Sequence, residues 1–83
     1  MNLDDIRLAA LNHRRDTYRN PKFVLLTAAE YDGIRASAKF AQAFTHTGTA
    51  DPEIYGMTVV IHGSRFHDKL EKAGVEMLRP NNL

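Results

Sequence analysis

Apolar and polar positions change rhythm several times along this chain, and each change marks an element. In "MNLDDIRLAALNHRRDTYRNP" the apolar residues Leu3, Ile6 and Ala10, with Leu11 beside them, fall at three- and four-residue steps, which predicts a helix over about 3–18. Asn2 and Asp5 have the spacing of a helix start, Asp4 and Asp5 put negative charge in the first turn, and Asn20-Pro21 stops the helix. "KFVLL" then has the length and composition of a short buried strand. Thr27 and Glu30 form a T-x-x-E capping box, flanked by Leu26 and Tyr31 at the spacing of a hydrophobic staple, so the strand ends where a helix is nucleated. Tyr31, Ile34, Ala38 and Ala41, widened by Phe40 and Phe44, predict a long second helix.

Residues 45–53 are polar, contain Gly48 and Pro52 and have no period, which predicts an exposed loop. "EIYGMTVVIHG" places Tyr55, Met57, Val59 and Ile61 on one face of a strand and Thr58, Val60 and His62 on the other. Val60 indicates that the second face is partly covered as well. Ser64 caps a short helix carrying Phe66, Leu70 and Ala73; Gly74 closes it, and Leu70 with Val75 have the separation of the apolar contact in a Schellman motif. "VEML" reads as a further short strand before Arg79-Pro80.

This order predicts an α+β fold: a small two- or three-stranded sheet packed by a long central helix, with an N-terminal helix and a short C-terminal helix. The chain is read as one domain over 1–83, with the N-terminal helix at 3–18, a strand-helix-strand core at 22–62, and a short helix and strand at 64–78. Strands joined through a helix pair in parallel, which places the second helix on one face of the sheet and the first helix on that face or against a partner.

At 83 residues the domain buries only about 60% of the surface its unfolded chain exposes. No cysteine is present to staple it, so self-association is the remaining common support. Eleven Lys and Arg against ten Asp and Glu leave a net charge of +1, and any nucleic-acid site must be a local patch. No apolar run approaches the roughly 18 residues of a membrane span, and the N-terminus carries acids where a signal peptide carries lysines. The expected compartment is the cytoplasm, with no membrane partner.

Candidate chemistry is sparse. Of the four histidines, His13, His46, His62 and His67, no pair has metalloprotease spacing, so no metal and no cofactor is expected. Ser64 follows His62-Gly63 at a strand-to-helix turn, but the G-x-S-x-G frame is missing and capping accounts for the serine, so no catalytic residue is expected. "NHRRDTYRNPK" is the densest positive patch: Arg14, Arg15, Arg19 and Lys22 with Tyr18 could grip phosphates and stack a base, or could simply compensate a helix end. Gly33 and Ser37 form a small-x-x-x-small step at which another helix backbone can approach.

"PKFVLLTAAEYDGI", followed after a polar loop by "EIYGMTVVIHGSRF", resembles a module of the major capsid proteins of tailed phages and of small uncharacterised phage proteins. The matching positions are Phe23 to Tyr31, then Tyr55, Gly56, Val59 and Val60, about half of the chain. A complete major capsid protein is several times longer, with a spine helix this chain has no room for. The resemblance therefore implies a small phage-type protein acting by contact, a virion accessory subunit or a binder of a host factor, in the host cytoplasm or the virion.

The expected function is non-enzymatic protein-protein interaction, with itself or with a host or virion protein, through Tyr18, Gly33, Ser37, Phe40 and Phe44. The alternative is a small nucleic-acid-binding regulator using Arg14, Arg15, Arg19 and Lys22. A third reading, an enzyme built on His62, Ser64 and His67, has the least support.

Overall fold

Local capping chemistry starts each helix where the sequence places it. In the computed structural model, which describes residues 2–36, 44–45 and 52–80, helix α1 spans Leu3–Thr17. The Asn2 side chain accepts from the Asp5 N–H at 3.0 Å, and the Asp5 carboxylate accepts from the Asn2 N–H at 3.0 Å. The helix ends one residue before its expected last position, because Tyr18 turns into the left-handed region (φ 58°) and donates its N–H to the Arg14 carbonyl. Leu3 and Ile6 are buried, and Ala9 and Ala10 pack against the same cluster. Leu11 does not join them: it lies about 100° round the helix from Ala10, and its side chain is exposed.

Strand β1, Phe23–Leu26, stops at Thr27, whose hydroxyl accepts from the Glu30 N–H while Glu30 accepts from the Thr27 N–H. Helix α2 follows as Ala28–Arg35, with Ala36 as its C-cap. The expected long helix through Phe44 is not what forms. Ser37 to Ala43 lie outside the described residues, and Phe44 belongs to a strand, β2, Phe44–Thr45. The four-residue step from Phe40 to Phe44 suggested one helical stripe; an aromatic beside a β-branched residue also suits a strand, and pairing with Ile54 settles it.

The expected continuous strand from Tyr55 is likewise two strands. β3, Glu53–Ile54, and β4, Met57–Ile61, form a hairpin in which Ile54 faces Met57. Tyr55 (φ 51°) and Gly56 (φ 78°) are both left-handed, as a type I′ two-residue loop requires. Thr45 pairs with Glu53, so the two ends of the expected 45–53 loop are sheet residues.

β4 runs parallel to β1, with Phe23 opposite Thr58 and Leu26 opposite Ile61, and the sheet order is β1-β4-β3-β2. "VEML" contributes a single parallel bridge rather than a strand. Leu78 accepts from the Leu25 N–H and donates to the Phe23 carbonyl, both at 2.8 Å, on the side of β1 away from β4.

The sheet is covered on both faces. Val24, Leu26, Met57 and Val59 share one cluster with Leu3 and Ile6 of α1 and Ile34 of α2, and Tyr31 packs against that cluster. Leu25 and Val60 face the other way, against Leu70 and Met77. Helix α3, Arg65–Lys72, covers this second face. The Ser64 hydroxyl caps it by accepting from the His67 N–H. At the far end Gly74 (φ 71°) donates to the Glu71 carbonyl and Val75 to the Leu70 carbonyl, completing the expected Schellman motif. Phe66 meets Phe23 edge-on, ring centres 6.1 Å apart.

Candidate functional site

Helix α1 has two apolar faces, and only one is used within the fold. Leu8 is 60% exposed, Leu11 54% and Tyr18, at the helix end, 92%. Asp4, Leu8, Leu11 and Arg15 recur at alternating four- and three-residue steps, the spacing of the seam by which one helix packs along another. Of the four large hydrophobic side chains exposed among the described residues, Leu8 and Leu11 sit on this line, Tyr18 is the left-handed cap that ends the helix, and Tyr55 is in the hairpin turn. Leu8 escaped the sequence reading, although a leucine outside the Leu3-Ile6-Ala10 stripe was the available signal.

The basic end of α1 divides into two parts. Arg19, Lys22 and His13 line a cleft of about 220 Å³ together with Asn20, Phe23 and Glu76. His13 Nε2 lies 3.2 Å from Glu76 Oε1, so the cleft holds a carboxylate as well as its cations. Arg14, Arg15 and Tyr18 are absent from that lining. Arg15 instead lies 3.7 Å from Asp16, a pair in which both side chains are about 70% exposed and which therefore contributes little. The five residues adjacent in sequence do not converge on one phosphate-and-base site.

His62, Ser64 and His67 do come together, at the start of α3. His67 is buried, and its ring centre lies 5.0 Å from that of His62. The Ser64 hydroxyl is engaged as the helix cap. His67 Nδ1 accepts from the Gly63 N–H at 3.0 Å, which leaves the neutral ring its proton on Nε2. Nε2 lies 3.1 Å from Glu71 Oε1, but its N–H is aimed off the carboxylate, so the contact is close without being a directional hydrogen bond. Glu71 also accepts from Arg79 at 3.1 Å; that hydrogen bond, then His67, hold its carboxyl below the usual range. The ring nitrogen that would have to take a proton from Ser64 is already an acceptor for the backbone. The arrangement fastens the β4-α3 turn, with Ser64 and His67 each engaged by the backbone there. Among the described residues no group of three or more His, Asp or Glu is placed to hold a metal ion.

The remaining expected contact residues scatter. Gly33 is exposed on α2 with open space where a Cβ would stand, so no helix of this chain approaches it closely among the described residues. Ser37, Phe40 and His46 lie outside the described residues, and Phe44 is in β2. No described helix is long and apolar enough to cross a membrane. Comparison of the chain with protein-family models, curated proteins and solved structures finds no match.

Proposed function

We propose that this is a non-enzymatic contact protein that works by protein-protein association through the outer face of α1. One observation carries the proposal: Leu8 and Leu11 stand in solvent on one line of a helix whose opposite face is already packed, with Tyr18 exposed at its left-handed cap. Fully burying a leucine is worth roughly 1.5–3 kcal/mol, so two half-exposed leucines side by side leave a large part of that gain for a partner to supply. Exposed Gly33 offers a second place where a partner's backbone could come close. The phage setting, as a virion accessory subunit or a binder of a host factor, is proposed on the resemblance of Phe23–Tyr31 and Tyr55–Val60 alone.

A photo-crosslinking residue at position 8 or 11, with position 72 on the outer side of α3 as control, tests the proposal in producing cells. Adducts to any protein from 8 and 11 but not from 72 support it. Adducts from none of these positions, or equally from all three, remove it.

A second reading has one observation in its favour. Arg19, Lys22 and His13 share a cleft that a phosphate of a nucleic acid could enter. Binding through it would weaken steeply with salt and respond to Arg19→Ala and Lys22→Ala but not to Arg14→Ala.

A further inference from the structure

Resting on the association reading above, we infer that the occupant of the outer face of α1 is a second copy of this chain, docked antiparallel across a twofold axis. A twofold contact requires a surface complementary to itself. This face meets that requirement about its own midpoint. An axis passing between residues 9 and 10, perpendicular to the helix, sets residue n beside residue 19 − n of the other copy. Leu8 then packs on the partner's Leu11, and Leu11 on the partner's Leu8. One seam step outward, Asp4 meets the partner's Arg15 and Arg15 meets the partner's Asp4.

Antiparallel packing also opposes the two helix dipoles, since α1 carries Asp4 and Asp5 in its first turn and Arg14 and Arg15 in its last. A parallel pair would stack Asp4 on the partner's Asp4 and Arg15 on the partner's Arg15. Arg15 is available for the seam, because its contact with Asp16 is a long, exposed one. Tyr18, the left-handed cap that ends α1, lies beyond the helical seam and is not part of this register.

The same register makes an awkward prediction that a generic sticky face does not. Arg7 falls on the flank beside the partner's Arg14, a like-charge pair that lowers affinity. With a 15-residue helix, about 22 Å long, as the whole contact, the dimer sits at the weak end of specific association.

Sedimentation velocity on the purified protein over a wide concentration range is the test. The wild type is expected to show a reversible monomer-dimer equilibrium. Leu8→Ser and Leu11→Ser each abolish it without unfolding the protein, as judged by circular dichroism. Arg15→Glu weakens it by about tenfold, the scale of two exposed charge pairs per dimer turned repulsive. Adding Asp4→Arg to Arg15→Glu restores it, and Arg7→Glu alone strengthens it. A dimer untouched by Leu11→Ser, or an Arg15→Glu loss that Asp4→Arg does not rescue, overturns the antiparallel register. A wild type that stays monomeric at every concentration overturns the second copy as occupant. If the crosslinkers at 8 and 11 still capture another protein, the association reading survives that result; if they capture nothing, both fall.

Discussion

Helices α1 and α3 are started by the same chemistry and end up with opposite surfaces. Each begins with a polar side chain accepting from the backbone three residues on, Asn2 from Asp5 and Ser64 from His67. α3 then directs its apolar residues inward, with Leu70 buried and Phe66 half-buried, and presents Arg65, Asp68, Lys69 and Lys72 to water. α1 buries Leu3 and Ile6 in the same way, with Ala9 and Ala10 beside them, but leaves two further leucines, Leu8 and Leu11, outside. A helix whose only task is to cover a sheet has no use for that arrangement. The contrast separates an element that completes the fold from one that completes it and keeps a face in reserve.

The largest effect should come from pairing the two helices' leucines. Leu70→Ala is expected to lower unfolding stability in urea by about 2–4 kcal/mol, because it leaves a cavity under α3. Leu11→Ala should change it by less than about 0.5 kcal/mol while weakening association. Equal losses at the two positions would mean that Leu11 is packed in solution, and the contrast would be gone.

A smaller change sharpens the account of how α3 starts. Ser64→Ala should cost about 1 kcal/mol through the lost cap. If that substitution instead abolished a hydrolytic activity while stability stayed constant, the serine would be a nucleophile and the contact reading would need replacing. Gly33→Ala, in the exposed face of α2, meets nothing where its methyl would stand and should stabilise the protein by up to about 1 kcal/mol in the same assay. Were the monomer stabilised but a complex weakened, a partner's backbone would be placed at Gly33.

The mildest effect is on acid sensitivity at the end of α3. Arg79 and then His67 lower the Glu71 carboxyl below its usual value of 4.5. A carboxylate held low in the folded state contributes stability above its unfolded value, and that contribution fades as pH falls through the folded one. Glu71→Gln should therefore lower the thermal midpoint slightly at neutral pH and flatten its decline below pH 4.5, so that the two proteins converge in acid.

Legibility followed the range of the interaction. The caps at Asn2, Thr27 and Ser64 and the close at Gly74 were readable because each is settled within a few residues. The parallel pairing of β1 with β4 followed from the order of elements. The Tyr55-Gly56 turn was hidden because tyrosine carries no signal for the left-handed region, and because Tyr55 by its position extends the alternation of Met57, Val59 and Ile61. Phe44 and Leu78 owe their backbone pairing to Ile54 and Val24, which no local spacing announces. At the candidate site Tyr18 could be named in advance, whereas Leu8 could not, because a search for one stripe stops when it has found one.

Strand β1 sits between two parallel neighbours, β4 and Leu78, and both are supplied by chain that lies far downstream of it. A growing polypeptide emerging from the ribosome therefore displays "FVLL" with neither edge covered until residues 57–78 have been made. During that interval four consecutive apolar residues with unpaired amides are the most aggregation-prone stretch of the nascent chain. Slowing translation after β1 should lower the soluble yield, whereas slowing it after Leu78 should not.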